Sequence, residues 1–288
     1  MIAKFYYRGA GDARDRFSAE TAALTFLNEN GSLFAPRLVA ADQNAGLAVL
    51  EDLGDRKLSG QEIGAPEIDQ AVEFAAELRG FKAKPGARDL PMASEACFSL
   101  RTLVEHLASR LSRLALVKDA GLERFLREEL SPAVSKAESW SRARLPLDHE
   151  VKLSERTLSQ SDFGFHNALF CADGRVRFVD FEYFGWDDPA KMISDFLLQP
   201  VEGLGAEAMS RFCQGVLAHF GQEGLAERVT AIYPLYGLKW ALIMLNGFIP
   251  EHGARRDFAK VPETPIEQIE KSRRMLARMN NEHRGFAA

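Results

Sequence analysis

Residues 158–189 read "LSQSDFGFHNALFCADGRVRFVDFEYFGWDDP", and the turn at the centre of this stretch organises what surrounds it. Asp173–Gly174 is a strong two-residue hairpin signal between two β-forming runs. With that turn Ala172 faces Arg175, and counting outward sets Asn167 opposite Asp180. An amide oxygen and a carboxylate then meet at the open end of the hairpin, within cross-strand reach. Asp162 precedes Asn167 by one short irregular loop, "DFGFH", which hangs over the same end. Singly, each of these is an ordinary turn residue. All three on one hairpin end read as a site.

The residue types suggest its chemistry. Two oxygen donors beside a third carboxylate suit a hard cation such as Mg²⁺, which takes few protein ligands and fills its shell with phosphate and water. A carboxylate close to that cation is what phosphoryl transfer requires, to orient and deprotonate an attacking hydroxyl.

Upstream, "MIAKFYYR" (1–8) alternates like a strand and is followed by a loop with Gly9 and Gly11. A helix then starts near Asp15 or Ser18, both good caps, and runs to Asn30–Gly31. Glu20 falls on the apolar stripe of this helix with Ala23, Leu24 and Leu27, so it needs a cationic partner or a solvated first turn. Lys4, in the neighbouring strand, is the candidate. Strands are expected at 37–42 and 46–54, and the strand signals then stop. Helical spacing follows at 66–83, 97–118 and 121–144, short strands at 158–186, and helices near 189–198, 204–220, 225–248 and 264–283. The expectation is an α+β chain, with a small β-rich part over 1–53 and a larger, mainly helical part over 54–288.

Bulk properties exclude several classes. The 288 residues carry a net charge of -5 and show no basic stripe, which argues against nucleic-acid binding. Three cysteines, Cys97, Cys171 and Cys213, are widely spaced and odd in number, which argues against a disulfide framework and fits a reducing cytoplasm. The N-terminus lacks the apolar core of a signal peptide. The apolar run 235–249 is interrupted by Lys239, Asn246 and Gly247, so it reads as a buried helix and no membrane partner is expected. Phe, at 20 residues, predicts an aromatic-rich core.

"SDFGFHN" followed by "VDFEYFGWDDPAKMISDF" resembles the catalytic and metal-binding segments of the aminoglycoside phosphotransferase/choline kinase family, which has a protein-kinase-like fold. The resemblance implies Asp162 as catalytic base, with Asn167 and Asp180 as Mg²⁺ ligands. "IAKFYY" is similar to the strand bearing the ATP-phosphate lysine, which makes Lys4 that lysine and Glu20 its helix partner. "VLEDLGD" (49–55) is similar to the hinge whose backbone binds adenine, around Glu51 and Leu53. Asp195 is similar to an aspartate that buttresses the catalytic loop. Glu182, Asp187 and Asp188 line the metal or acceptor side or else solvate a loop. Trp186 is a packing residue or an acceptor wall, and His166 contacts phosphate or packs the loop.

The chain departs from the family pattern at two places. Gln160 stands where a scaffold histidine is usual, and Ser161 where glycine is common. Gln can donate and accept as His does, so a tolerated replacement is expected. The glycine-rich loop that covers ATP phosphates does not precede Lys4, and "GAGDARD" (9–15) follows it, in the wrong order. The expectation is either a start placed too late or an open nucleotide site that positions ATP less firmly.

The reading is an ATP- and Mg²⁺-dependent phosphotransferase acting on a hydroxyl of a small polar metabolite such as an aminoglycoside, choline, ethanolamine, homoserine or a sugar. The alternatives are a catalytically weak nucleotide-binding or scaffold protein of the same fold, and a helical binding protein whose acids are turn residues.

Overall fold

The computed structural model describes residues 1–7, 15–200, 204–249 and 264–282, so the loop expected at 9–14 lies outside the described residues. In chain order the elements are β1 (Ile2–Phe5), α1 (Arg16–Glu29), β2 (Leu38–Asp42), β3 (Leu47–Leu50), α2 (Ala65–Phe81), α3 (Leu100–Leu114), α4 (Ala120–Phe125), α5 (Ser131–Arg142), β4 (Thr157–Ser159), β5 (Ala168–Phe170), β6 (Val176–Phe178), β7 (Gly185–Asp187), α6 (Pro189–Leu198), α7 (Ala206–Phe220), α8 (Leu225–Ile243) and α9 (Pro265–Glu282). The chain divides into two compact units. Of the described residues, 1–7, 15–96 and those within 152–225 form one, and 97–151, 226–249 and 264–282 form the other.

In the first unit β1, β3 and β2 form an antiparallel sheet in that order, with Lys4 opposite Ala48. The central strand β3 alternates, burying Ala48 and Leu50, as a strand covered on one face should. Ala23, Leu24 and Leu27 of α1 are fully buried. Helix α1 is capped by Asp15, whose carboxylate accepts the Ser18 N–H at 2.9 Å. That satisfies one of the donors the first turn leaves open.

Strand β4 pairs with β7, and β5 with β6. The β5–β6 hairpin corrects the expected register by one residue. Ala168 pairs with Phe178 and Phe170 with Val176, while the Cys171 N–H reaches the Arg175 carbonyl at 2.8 Å. The turn therefore holds three residues, Ala172, Asp173 and Gly174, with Gly174 at φ +79°, the left-handed position that closes such turns. Val179, not Asp180, lies opposite Asn167 and donates to its carbonyl at 2.8 Å. A one-residue slip normally sends a side chain to the other face. Here β6 ends at Phe178 and Asp180 takes φ +68°, which re-aims its carboxylate towards Lys4, at 2.7 Å.

The expected aromatic core lies under this hairpin. Phe74 of α2 stacks on Phe178 at 4.8 Å, Phe163 meets Phe178 at 5.0 Å, and Phe196 of α6 stacks on Phe212 of α7 at 3.6 Å. Phe163 and Phe165 are both buried in it. Alternation along "DFGFH" then leaves Asp162 and His166, both only partly buried, on the loop's other side.

The second unit is helical. α4 and α5 join through a π-helical turn, Leu126–Leu130, where one unbroken helix is expected over 121–144. Pro132, at the start of α5, has no N–H to donate to the preceding turn, and a widened turn accommodates the loss. The Ser141 hydroxyl of α5 donates to the Ala231 carbonyl of α8 at 2.6 Å, and Tyr233 of α8 donates to Glu282 of α9 at 2.9 Å. Among the described residues no helix is long and apolar enough to cross a membrane, and the three cysteines are buried and form no disulfide.

Candidate active site

Three segments far apart in sequence converge on one ammonium. Lys4 Nζ donates to Glu20 Oε2 at 2.6 Å and to Asp180 Oδ1 at 2.7 Å. The expected Lys4–Glu20 pair is thus formed, and Asp180 joins it. Glu20, only 1% exposed, also accepts from the Tyr6 hydroxyl at 2.7 Å and from the Phe181 N–H at 3.1 Å. A carboxylate on an apolar helix face is tolerated because every side of it meets a donor. Burial disfavours the charge on Lys4, but Glu20 and Asp180 outweigh it and raise the ammonium pKa above its ordinary value. Burial, reinforced by Glu20, pushes the Tyr6 phenol up.

The loop at 160–167 forms the other half of the site. Asp162 Oδ1 accepts from His166 Nε2 at 3.1 Å, and the Asn167 side-chain N–H donates to the Asp162 carbonyl at 3.0 Å. Burial pushes the Asp162 carboxyl up, but the hydrogen bond and charge of His166 outweigh it and hold the pKa below the usual range. Asp162 is therefore ionised at neutral pH, as a proton acceptor must be. Gly164 is required here by close approach, since a Cβ on it would lie 2.8 Å from Gln199 Cβ and from His166 Nδ1. Gln199 caps the loop, accepting the Phe165 N–H at 2.6 Å. Lys57 donates to the His166 carbonyl at 3.1 Å. Gln160 is fully buried and donates to the Val179 and Asp180 carbonyls, which ties the loop to the hairpin strand bearing Asp180.

The remaining acids go to different places. Glu182 pairs with the buried Arg16 at 3.2 Å, and burial together with Asp180 raises its pKa. Asp188 is the N-cap of α6, accepting the Ala190 N–H at 2.9 Å. Asp187 and Asp195 both bind Lys191, at 2.8 and 2.7 Å. Burial raises the Asp187 pKa, whereas on Lys191 the two carboxylates outweigh burial and raise the ammonium pKa. Trp186 donates its indole N–H to the Ala87 carbonyl at 2.8 Å. In the hinge stretch, the Glu51 N–H is bonded to the Arg37 carbonyl at 2.9 Å. Leu53 has no backbone hydrogen bond among the described residues.

Tyr6, Arg16, Lys57 and Lys191 were not legible as site residues. Three of them carried a spacing signal: Tyr6 shares a strand face with Lys4, Arg16 lies one helical turn before Glu20, and Lys191 is one turn from both Asp187 and Asp195. No sequence signal connects Lys57 with His166.

The donor set fits a hard cation. The Asn167 N–H faces the Asp162 carbonyl, which leaves the amide oxygen for a ligand, and Asp180 uses one oxygen on Lys4, which leaves the second. Among the described residues no group of three or more His, Cys, Asp or Glu side chains is placed to hold a metal. A cation held by the Asn167 amide oxygen and the second Asp180 oxygen would complete its shell with phosphate and water, as Mg²⁺ does.

A family model described as "phosphotransferase enzyme family" matches residues 1–227. The chain belongs to that family. None of the curated proteins compared with it matches. Among solved structures, the choline kinase LicA from Streptococcus pneumoniae is 18% identical with a TM-score of 0.62, covering 96% of this chain and 85% of that one. A choline/ethanolamine kinase family protein from Mesorhizobium loti is 17% identical with a TM-score of 0.58, covering 93% and 80%. The gentamicin–APH(2")-IIa complex is 15% identical with a TM-score of 0.59, covering 96% and 84%. At such identities these likenesses speak to the fold, which is the mixed α+β, protein-kinase-like one expected from the sequence.

Proposed function

We propose that this phosphotransferase moves the γ-phosphoryl group of ATP, with Mg²⁺, to a hydroxyl of a small polar metabolite. Asp162 orients the acceptor hydroxyl and takes its proton as the oxygen attacks the γ-phosphorus. The new O–P bond forms as the bond between the γ-phosphorus and the β–γ bridging oxygen breaks, and ADP leaves with that bridging oxygen. Asn167 and Asp180 hold the cation, whose contribution when bound is to neutralise charge on the phosphate oxygens. Lys4, steadied by Glu20, binds the α- and β-phosphates, and the hinge at Glu51–Leu53 presents backbone to the adenine. Residues 1–53 act as the nucleotide-binding part, and the remainder supplies the catalytic loop and the acceptor pocket.

The observation that carries this reading is the Lys4 clamp. Strand β1, helix α1 and the hairpin exit each contribute one charged group to a single ion cluster, beside a loop whose aspartate is held ionised. The cluster brings a cation able to bind phosphate next to a carboxylate with one oxygen left for a cation, the pairing that phosphoryl transfer uses. Nucleotide use is supported by the fold neighbour LicA, solved in complex with AMP. Choline kinase and gentamicin-complex neighbours direct the first acceptors to try.

The test is nucleotide binding by calorimetry with and without Mg²⁺, followed by ADP release against amino alcohols, sugars and aminoglycosides. Metal-dependent binding and acceptor-dependent ADP release, both lost or reduced in Asp180→Ala, are expected. Absence of metal-dependent nucleotide binding at millimolar concentration refutes the reading. Binding without turnover, unchanged in Asp162→Ala, reduces the protein to a nucleotide-binding scaffold.

A further inference from the structure

The residue before the catalytic aspartate is held in an unusual way. Ser161 has φ +68°, a backbone region in which a Cβ is unfavourable and glycine is at ease. Its side chain compensates. Ser161 Oγ donates to the Ser94 carbonyl at 2.7 Å and accepts from Lys191 Nζ at 2.9 Å. The same ammonium binds Asp187 Oδ2 at 2.8 Å and Asp195 Oδ2 at 2.7 Å, and the Ser161 carbonyl lies 3.4 Å from it. All three ammonium protons and the one hydroxyl proton are thus engaged. Lys191 is 3% exposed and Asp187 fully buried, so no water competes for these bonds.

Two buried carboxylates and one buried ammonium are not an economical way to stabilise a fold. Apolar side chains of similar volume commonly do as well or better. What such a cluster does supply is a direction, because each bond has one geometry in which it forms. Here the direction runs from α6, through Lys191, to Ser161, and Ser161 is covalently joined to Asp162. Gln160, on the other side of Ser161, binds the hairpin exit rather than this cluster.

We propose that Lys191 is a positioning residue. It fixes the Asp162 carboxylate by clamping Ser161 in its left-handed conformation, with Asp187 and Asp195 holding the ammonium in place. Asp195 then acts on the catalytic loop through Lys191. Serine at position 161 and lysine at position 191 form one device, in which the hydroxyl that accepts from the lysine also makes the backbone conformation tenable. The consequence for turnover rests on the phosphotransferase reading above, whereas the clamp itself does not.

The experiment therefore has two readouts, applied to the full-length wild type, Lys191→Met, Ser161→Gly and the double variant. Hydrogen exchange tests the clamp without catalysis: amides at 159–163 should exchange about tenfold faster or more in each single variant, while those of β1 and β3 keep their wild-type rates. Steady-state kinetics with Mg²⁺ and ATP tests the consequence. kcat should fall by about tenfold to a hundredfold, the loss expected for a catalytic group misplaced by a fraction of an ångström to an ångström, with KM for ATP within about threefold. The double variant should be no worse than the poorer single variant, because both changes remove one contact. Lys191→Met leaves two buried carboxylates facing a thioether. If it does not fold, Ser161→Gly and the neutral triple variant Asp187→Asn/Lys191→Met/Asp195→Asn carry the test. Wild-type exchange at 159–163 in the folded variants overturns the proposal, as does an additive kinetic loss. A wild type without turnover refutes the phosphotransferase reading alone, and exchange still decides the clamp.

Discussion

Replacing Glu20 by alanine should destabilise the protein by about 3–5 kcal/mol, the cost typical of removing one member of a buried ion pair. The contacts lead to the same range. Glu20 is 1% exposed and accepts from Lys4, Tyr6 and the Phe181 N–H. Lys4 keeps Asp180 after the substitution and loses only part of its pairing. The Tyr6 hydroxyl and Phe181 N–H are left buried without an acceptor, at about 1–3 kcal/mol each. Removing two side-chain carbons' worth of packing adds about 1 kcal/mol or more, and releasing a buried carboxylate returns part of the sum. Glu20→Gln should fall between wild type and alanine. Whichever way the amide turns, its NH₂ faces either the Phe181 N–H or the Lys4–Tyr6 side, so one donor stays unmatched, at about 1–3 kcal/mol. Tyr6→Phe, which removes a single donor, should cost about 1 kcal/mol. Equilibrium urea unfolding followed by circular dichroism measures all three. An alanine variant within about 1 kcal/mol of wild type would refute the reasoning, since it would mean the cluster is solvated in solution.

Asp162→Asn should lower kcat by about a hundredfold or more, the range for loss of a positioned general base, while Mg²⁺–nucleotide affinity measured by calorimetry stays within a few-fold. Gln160→Ala should destabilise by about 1–3 kcal/mol, because the Val179 and Asp180 carbonyls lose their shared donor. Gln160→His, which retains a ring N–H, should cost less than half of that in the same urea titration. Burial pushes the Cys213 thiol up to about 11, so at pH 8 its thiolate fraction is on the order of one in a thousand. Cys97, Cys171 and Cys213 should react with an aromatic disulfide reagent over hours in the native protein and within seconds in denaturant, and rapid native labelling of Cys213 would contradict its placement.

Much of the site was legible because its parts are local. "SDFGFHN", the Asp173–Gly174 turn and "VDFEYF" lie within two dozen residues, and the loop-to-hairpin distance is set by covalent connectivity. The pairing of Lys4 with Glu20 was legible for a different reason. A carboxylate on an apolar helix face calls for a cation, and Lys4 lies on the neighbouring strand. The hairpin register is not legible in the sequence, because "DG" is compatible with a two-residue turn and with the last two positions of a three-residue one. The choice between them depends on what the strands pack against. Phe178, stacked on Phe74, fits the observed register and would face away from the aromatic core in the expected one.

What the sequence determined by itself is therefore most of the elements and the Asp162–Asn167 loop, because helix caps, turn residues and hydrophobic periodicity are local properties of the chain, and, through the resemblance of two motifs, the family. Only the tertiary structure decided that Asp180 turns to Lys4 through a left-handed backbone, that Lys57 reaches the His166 carbonyl, and that Lys191 grips Ser161. Each contact joins groups that the packed fold, not the local chain, brings together, and for Lys191 burial also removes water as the alternative partner.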